Sequence, residues 1–216
     1  MVSLHYTAIS LRSGKLNLEG IVSAPLDMGS SAPAVVLCHP HPLLGGDMNN
    51  PVMAAVSGAL VAEEFITLSF NFRGVGSSEG VHDEGRGEVK DLEAALGFLA
   101  HWPGVDRRRV GVAGYSFGAM VTLSGLNSLK GARAFAFISP PTQALKGLFK
   151  PRGNSAMLFV AGEHDALARE RLFEERIKSL DGNVRLHIVP GANHFWRNQE
   201  AEVSQLVSRF FVESLG

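Results

Sequence analysis

A single cysteine, Cys38, stands in the 216 residues, so no disulfide can close within the chain. It lies in the apolar run Ala34–Cys38, the setting of a buried and inert thiol. His39 follows directly, but neighbours along a strand point to opposite faces, so the pair is not read as a reactive thiol–imidazole couple. No excess of one charge exists either: Lys plus Arg number 20 against 21 Asp plus Glu. That balance gives no electrostatic footing for a nucleic acid or an acidic membrane. The basic run Arg107-Arg108-Arg109 is read as a solvated turn before a strand. Met1–Ser10 lacks the basic start and continuous apolar core of a signal peptide, and no apolar run approaches the ~20 residues of a membrane span. A cytoplasmic protein is the expectation. Repeats, low-complexity tracts and long linkers are absent, so residues 1–216 are expected to form one domain.

Apolar residues make up 45% of the chain, enough for a substantial core. They fall into short runs separated by turn residues. Leu4–Leu11 and Leu16–Ser23 read as a hairpin turning at Ser13-Gly14. Further strands are expected at Ala34–Cys38, Phe65–Phe72, Arg109–Ala113, Ala132–Ile138, Ala156–Ala161 and Val184–Val189. Their near-continuous apolarity suits strands covered on both faces. Between them, Val89, Leu92, Leu96 and Leu99 recur at helical spacing, as do Phe173, Ile177 and Leu180, and Val203, Leu206, Val207, Phe210 and Phe211. The expected fold is α/β: a mostly parallel eight-stranded sheet opened by an antiparallel hairpin, with helices on both faces. Chemistry in such sheets gathers at the carboxyl ends of the strands.

One motif sits there. After the strand ending at Ala113 comes Gly114-Tyr115-Ser116-Phe117-Gly118, followed by a small-residue helix from Ala119. A serine on a sharp strand-to-helix turn needs neighbours without side chains two positions away, so that strand and helix can approach. Its hydroxyl needs a base. Downstream histidines are His164, His187 and His194; His187 falls inside the last strand, whereas His194 follows that strand's carboxyl end in Gly191-Ala192-Asn193-His194 and is favoured. The acid emerges by elimination. No Asp or Glu occurs from Gly131 to Gly162, and the next carboxylates are Glu163 and Asp165. Asp165 stands where the loop turns back towards His194; Glu163 is the alternative, and Asp165 could equally cap a helix starting near Ala166.

Acyl transfer also requires donors for the developing oxyanion. One is expected from the backbone N–H of Phe117. The other is expected from His39-Pro40-His41-Pro42-Leu43-Leu44-Gly45-Gly46, where the prolines are excluded and His39, His41 and Leu43 remain.

The segments His39–Pro42, Gly45-Gly46, Asn71–Ser78, Gly114–Gly118, Gly162–Asp165 and His194-Phe195 together resemble the small, lidless, esterase-like members of the α/β-hydrolase superfamily, similar to dienelactone hydrolases. The resemblance spans nearly the whole chain. It implies a triad of Ser116, Asp165 and His194, His41 as the second oxyanion donor, hydrolysis of a small carboxylic ester, and neither cofactor nor metal. Two departures matter. Many relatives carry His-Gly where this chain has His39-Pro40, and a dienelactone hydrolase carries a cysteine nucleophile where this chain has Ser116, so that substrate does not transfer.

Other readings are weaker. Gly74-Val75-Gly76-Ser77-Ser78-Glu79 follows a strand, but Glu79 occupies the third glycine position of a dinucleotide fingerprint. His39 and His41 could bind a metal, but no acidic partner accompanies them. Thioester or amide hydrolysis would use the same triad, and a non-catalytic scaffold would not retain all three members. Residues 139–155, where larger hydrolases insert a cap, hold Pro140, Pro141, Gly147, Pro151 and Gly153. That stretch is too short for a lid with its own core, so an open cleft is expected, unless Leu43, Leu44, Leu148 and Phe149 line a longer groove.

Overall fold

Strict alternation along the central strands makes two cores. In the strand Ala32–Cys38, Ala34, Val36 and Cys38 enter one hydrophobic cluster while Val35 and Leu37 enter another. Phe135 and Phe137 are likewise separated from Ala136 and Ile138, and Met157 and Phe159 from Leu158 and Val160. A period of two with both phases apolar places a sheet between two helical layers.

The computed structural model describes residues 4–26, 31–146, 155–168, 170–180 and 182–216. Its strands are β1 Leu4–Ser13, β2 Leu16–Pro25, β3 Ala32–Cys38, β4 Ile66–Phe70, β5 Val105–Tyr115, β6 Ala134–Ile138, β7 Ala156–Gly162 and β8 Val184–Val189. They form one eight-stranded sheet in the order β1-β2-β4-β3-β5-β6-β7-β8. The β1–β2 and β2–β4 pairs are antiparallel and the others parallel. The helices are α1 Pro51–Ala62, α2 Arg86–Ala100, α3 Phe117–Gly125, α4 Glu170–Lys178 and α5 Glu200–Leu215. Residues of α2, α3 and α4 pack on one face; α1 and α5 pack on the other.

The expected architecture is therefore observed, with two local differences. Helix α1 gives no amphipathic stripe, being small and apolar on most sides, yet its start is well defined: the Asn50 side chain accepts from Val52 N–H at 3.0 Å and Pro51 occupies the first turn. Strand β5 begins at Val105, so Arg107–Arg109 lie in a strand, not a turn. Asp106 accepts from Arg108 N–H at 2.9 Å and from the Arg109 guanidinium at 3.1 Å, which holds these charges in extended backbone. The Gly74–Glu79 loop opens no helix, as its Glu79 leads us to expect, and packs onto β2. Asn71 Nδ2 and the Ser77 N–H both donate to Glu19 Oε1, at 2.7 and 2.6 Å, and a Cβ on Gly76 would come within 2.1 Å of that oxygen.

One buried ion pair ties the hairpin to the rest. Arg73 grips Asp91 of α2 through two nitrogens, at 2.7 and 2.9 Å, and Ser13 at the end of β1 donates to the same carboxylate at 2.6 Å. The Asp91 side chain is wholly out of solvent.

Between β6 and β7 the chain makes a short 3-10 turn at Thr142–Lys146. Leu148 and Phe149, with the rest of 147–154, lie outside the described residues.

Candidate active site

The parallel strands deliver their carboxyl ends to one edge of the sheet, and the loops there bring together residues distant in sequence. Ser116 ends the turn from β5 into α3. Its φ of 53° is an uncommon, strained value for a residue with a side chain. The turn is this tight because of its glycines. A Cβ on Gly114 would meet the Gly118 carbonyl carbon at 2.5 Å, and one on Gly118 would meet the Cys38 oxygen at 2.2 Å. The Ser116 N–H donates to Ile138 O at 2.8 Å, which fixes the turn against β6.

Ser116 Oγ lies 2.9 Å from His194 Nε2. His194 Nδ1 lies 2.9 and 3.0 Å from the two oxygens of Asp165, whose side chain is fully buried. With the ring proton on Nδ1, facing the carboxylate, Nε2 is left to accept the hydroxyl proton. Burial pushes the Asp165 carboxyl up, but hydrogen bonds from His194 and Ser139, together with the Ala168 N–H, hold it below its ordinary value. The group is therefore a carboxylate at neutral pH. Ser139 in turn accepts from the buried Trp196 indole N–H at 3.0 Å, and Tyr115 donates to His194 O at 2.6 Å.

The loops carrying acid and base are packed on each other. His164 N–H donates to Ala192 O at 2.8 Å, and a Cβ on Gly162 would meet that oxygen at 2.3 Å. The other candidates stand apart from this chain of contacts. Glu163 accepts from Gly191 N–H at 2.9 Å, and His164 and His187 are exposed.

His41 and Phe117 meet in the cleft beside Ser116, with ring centroids 5.0 Å apart. Phe117 opens α3, where first-turn N–H groups have no acceptor within the helix. Of the open donors, Leu43 N–H is taken by His41 Nδ1 at 3.3 Å, whereas the His41 N–H has no protein acceptor among the described residues. Burial, reinforced by the neighbouring His82 ring, pushes the His41 imidazole below its ordinary value. His39 is not a metal ligand in this arrangement. Its Nδ1 donates to Pro40 O at 2.7 Å and its Nε2 accepts from Phe72 N–H at 3.1 Å, so both nitrogens are spent within the fold. Burial holds its pKa down at about 4, which keeps the ring neutral. Burial likewise pushes the Cys38 thiol up, as expected of an inert group.

The cleft above Ser116 encloses about 390 Å³ and is walled mainly by apolar groups, among them Leu44, Phe117, Met120, Leu167 and Phe195. Sequence reasoning did not single out His82 and Glu84, which also line it. No helix among the described residues is long and apolar enough to cross a membrane.

The family model of the dienelactone hydrolase family matches residues 78–209, a stretch containing the serine, the carboxylate and the imidazole. The chain belongs to the dienelactone hydrolase family. It is thus a hydrolase, and its likenesses among solved structures agree on the architecture. An α/β serine hydrolase homologue from Coxiella burnetii is 30% identical, with 94% of this chain and 96% of that one covered and a TM-score of 0.83. A Xanthomonas campestris α/β serine hydrolase without lid is 25% identical, with 98% and 95% covered and a TM-score of 0.84. The hydrolase is also 29% identical over 191 residues to the uncharacterised Rickettsia prowazekii protein RP471, covering 84% of this chain and 79% of that one.

Proposed function

We propose that this hydrolase cleaves small, short-acyl carboxylic esters through an acyl-enzyme on Ser116. The observation that carries the reading is the continuous hydrogen-bonded line from Ser116 Oγ through His194, both lining the cleft, to the buried Asp165 behind them. As Oγ attacks the ester carbonyl carbon, Nε2 takes the hydroxyl proton and Asp165 stabilises the resulting imidazolium. The carbonyl electron pair moves onto oxygen, where the N–H groups of Phe117 and His41 receive it; one such donor is worth about 10²–10³ in rate. Collapse expels the alcohol, which carries away the proton from Nε2. Water then repeats the sequence on the acyl-enzyme and releases the acid.

A cleft without a lid, as in the Xanthomonas relative, favours small substrates. The test is hydrolysis of p-nitrophenyl butyrate, butyryl thioester and butyryl anilide, with fluorophosphonate labelling alongside. The wild-type protein should turn over the ester fastest and take the label. Ser116→Ala should do neither while remaining folded. An alanine variant that keeps half the activity would overturn the assignment, and a faster thioester or anilide would move the substrate class.

A further inference from the structure

Besides His194, the cleft is lined by His41 and His82, whose rings the acyl-transfer scheme leaves unused. His82 comes from the loop between β4 and α2, and its ring centroid lies 5.2 Å from those of both His41 and Phe117. Behind it stands Glu88, in the first turn of α2, with its side chain fully buried. Glu88 is fixed in place: Oε1 accepts from Asp83 N–H at 2.8 Å and Oε2 from Gly85 N–H at 2.9 Å. His82 Nδ1 sits 3.0 Å from Oε1. That is ion-pair distance, yet the approach is out of line for a hydrogen bond, and Nδ1 is a buried nitrogen with no aligned partner. Nε2 has no protein partner among the described residues. Nδ1 is occluded beside Glu88, so Nε2 is the accessible nitrogen of a ring that lines the cleft, and a bound ligand can reach it there.

The surrounding charge narrows what that is. Among the described residues neither lysine nor arginine lines the cleft, whereas Glu84 does, and Glu88 lies directly behind the ring. Two carboxylates repel an anionic substrate. In the neutral tautomer of the ring with its proton on Nδ1, beside Oε1, Nε2 carries a lone pair. A lone pair set in a wall of Leu44, Phe117 and Met120 is matched by an O–H group on an otherwise apolar substrate. Sites built to bond a substrate hydroxyl discriminate strongly against the analogue that lacks it, because the acceptor is then buried unpaired.

We propose that His82, backed by Glu88, is a specificity-determining residue that accepts a hydrogen bond from a hydroxyl on the substrate, so that the preferred substrates are hydroxylated small esters. The proposal rests on the esterase reading above. Its test is a set of matched pairs: p-nitrophenyl esters of butyric acid and of its 3- and 4-hydroxy derivatives, and of phenylacetic and 4-hydroxyphenylacetic acid. The wild-type protein should favour the hydroxylated member of at least one pair by about tenfold in kcat/KM, the worth of one buried hydrogen bond. His82→Phe should bring that ratio close to one, and His82→Gln, which keeps an acceptor, should restore part of it. Wild-type ratios near one for every pair, or a ratio unchanged in His82→Phe, would overturn the proposal. Calorimetry with Ser116→Ala separates the two readings. Tighter binding of the hydroxylated ester without turnover of either member by the wild type would sink the esterase and leave the anchor. Normal turnover with equal binding would sink the anchor alone.

Discussion

Asp165 performs two tasks with one carboxylate. It meets His194 Nδ1, and its Oδ1 also accepts the N–H groups of Leu167 and Ala168 at 3.0 and 3.1 Å; these bonds hold a turn, and since α4 starts only at Glu170, no helix among the described residues starts near Ala166 for it to cap. Asp165→Asn would keep the turn but place an N–H where the imidazole needs an acceptor, and kcat should fall about 10³–10⁴-fold. Glu163→Gln still accepts from Gly191 and should stay within about twofold of wild type. Steady-state rates on one ester decide between them, and the reverse ranking would transfer the acid to Glu163. His39 makes a prediction of a different kind. The unfolded chain protonates it near 6.5, the folded chain only near 4. Stability is thus complete above about pH 6.5 and declines as pH falls towards 4, by about 2–3 kcal/mol. Urea unfolding at pH 7 and pH 4.5 should show His39→Gln losing less than wild type by that amount; equal losses would refute the neutral-ring account. Ser116, Asp165 and His194 were legible beforehand because each follows a strand end and the chain between them is short of alternatives. His82 was not. It is one histidine in a polar loop, and only the fold sets it against Glu88 and the cleft.

Among the elements, those with a regular apolar pattern were read almost to the residue: β8 spans Val184–Val189 as expected, and α5 carries the expected stripe. Those stabilised by particular side chains were misjudged or missed. Helix α1 has its signal in Asn50-Pro51, not in its periodicity, and the start of β5 depends on Asp106 gathering two arginines. The contact of the hairpin with α2 has no local signature at all, since Ser13, Arg73 and Asp91 meet only in the folded chain. Arg73→Met should cost about 3–5 kcal/mol in chemical denaturation, because it strands the Asp91 charge in the interior. The double variant Arg73→Met with Asp91→Leu should recover most of that loss. A loss below 1 kcal/mol for the single variant would show that solvent reaches Asp91 after all.

Across the whole molecule, the candidate site sits at one sheet edge, and the described residues leave the cleft above it open. Leu44 and Phe195 at its mouth are 85% and 65% exposed. With so much of the wall in water, each added methylene of a long acyl chain gains only part of the ~0.8 kcal/mol of full burial. On p-nitrophenyl esters, kcat/KM should therefore peak between acetate and butyrate and decline by octanoate, with no jump in rate when substrate passes its solubility limit. A maximum at dodecanoate would reveal a longer groove. The chain has two tryptophans, and the structure gives them unequal surroundings: Trp196 is fully buried with its indole N–H on Ser139, the hydroxyl that also serves Asp165, while Trp102 packs on Phe98 at the far end of α2. A Trp102→Phe protein would keep a single tryptophan, one residue removed from the Asp165 carboxylate. Its emission would register changes around Asp165 optically, in real time and without any substrate.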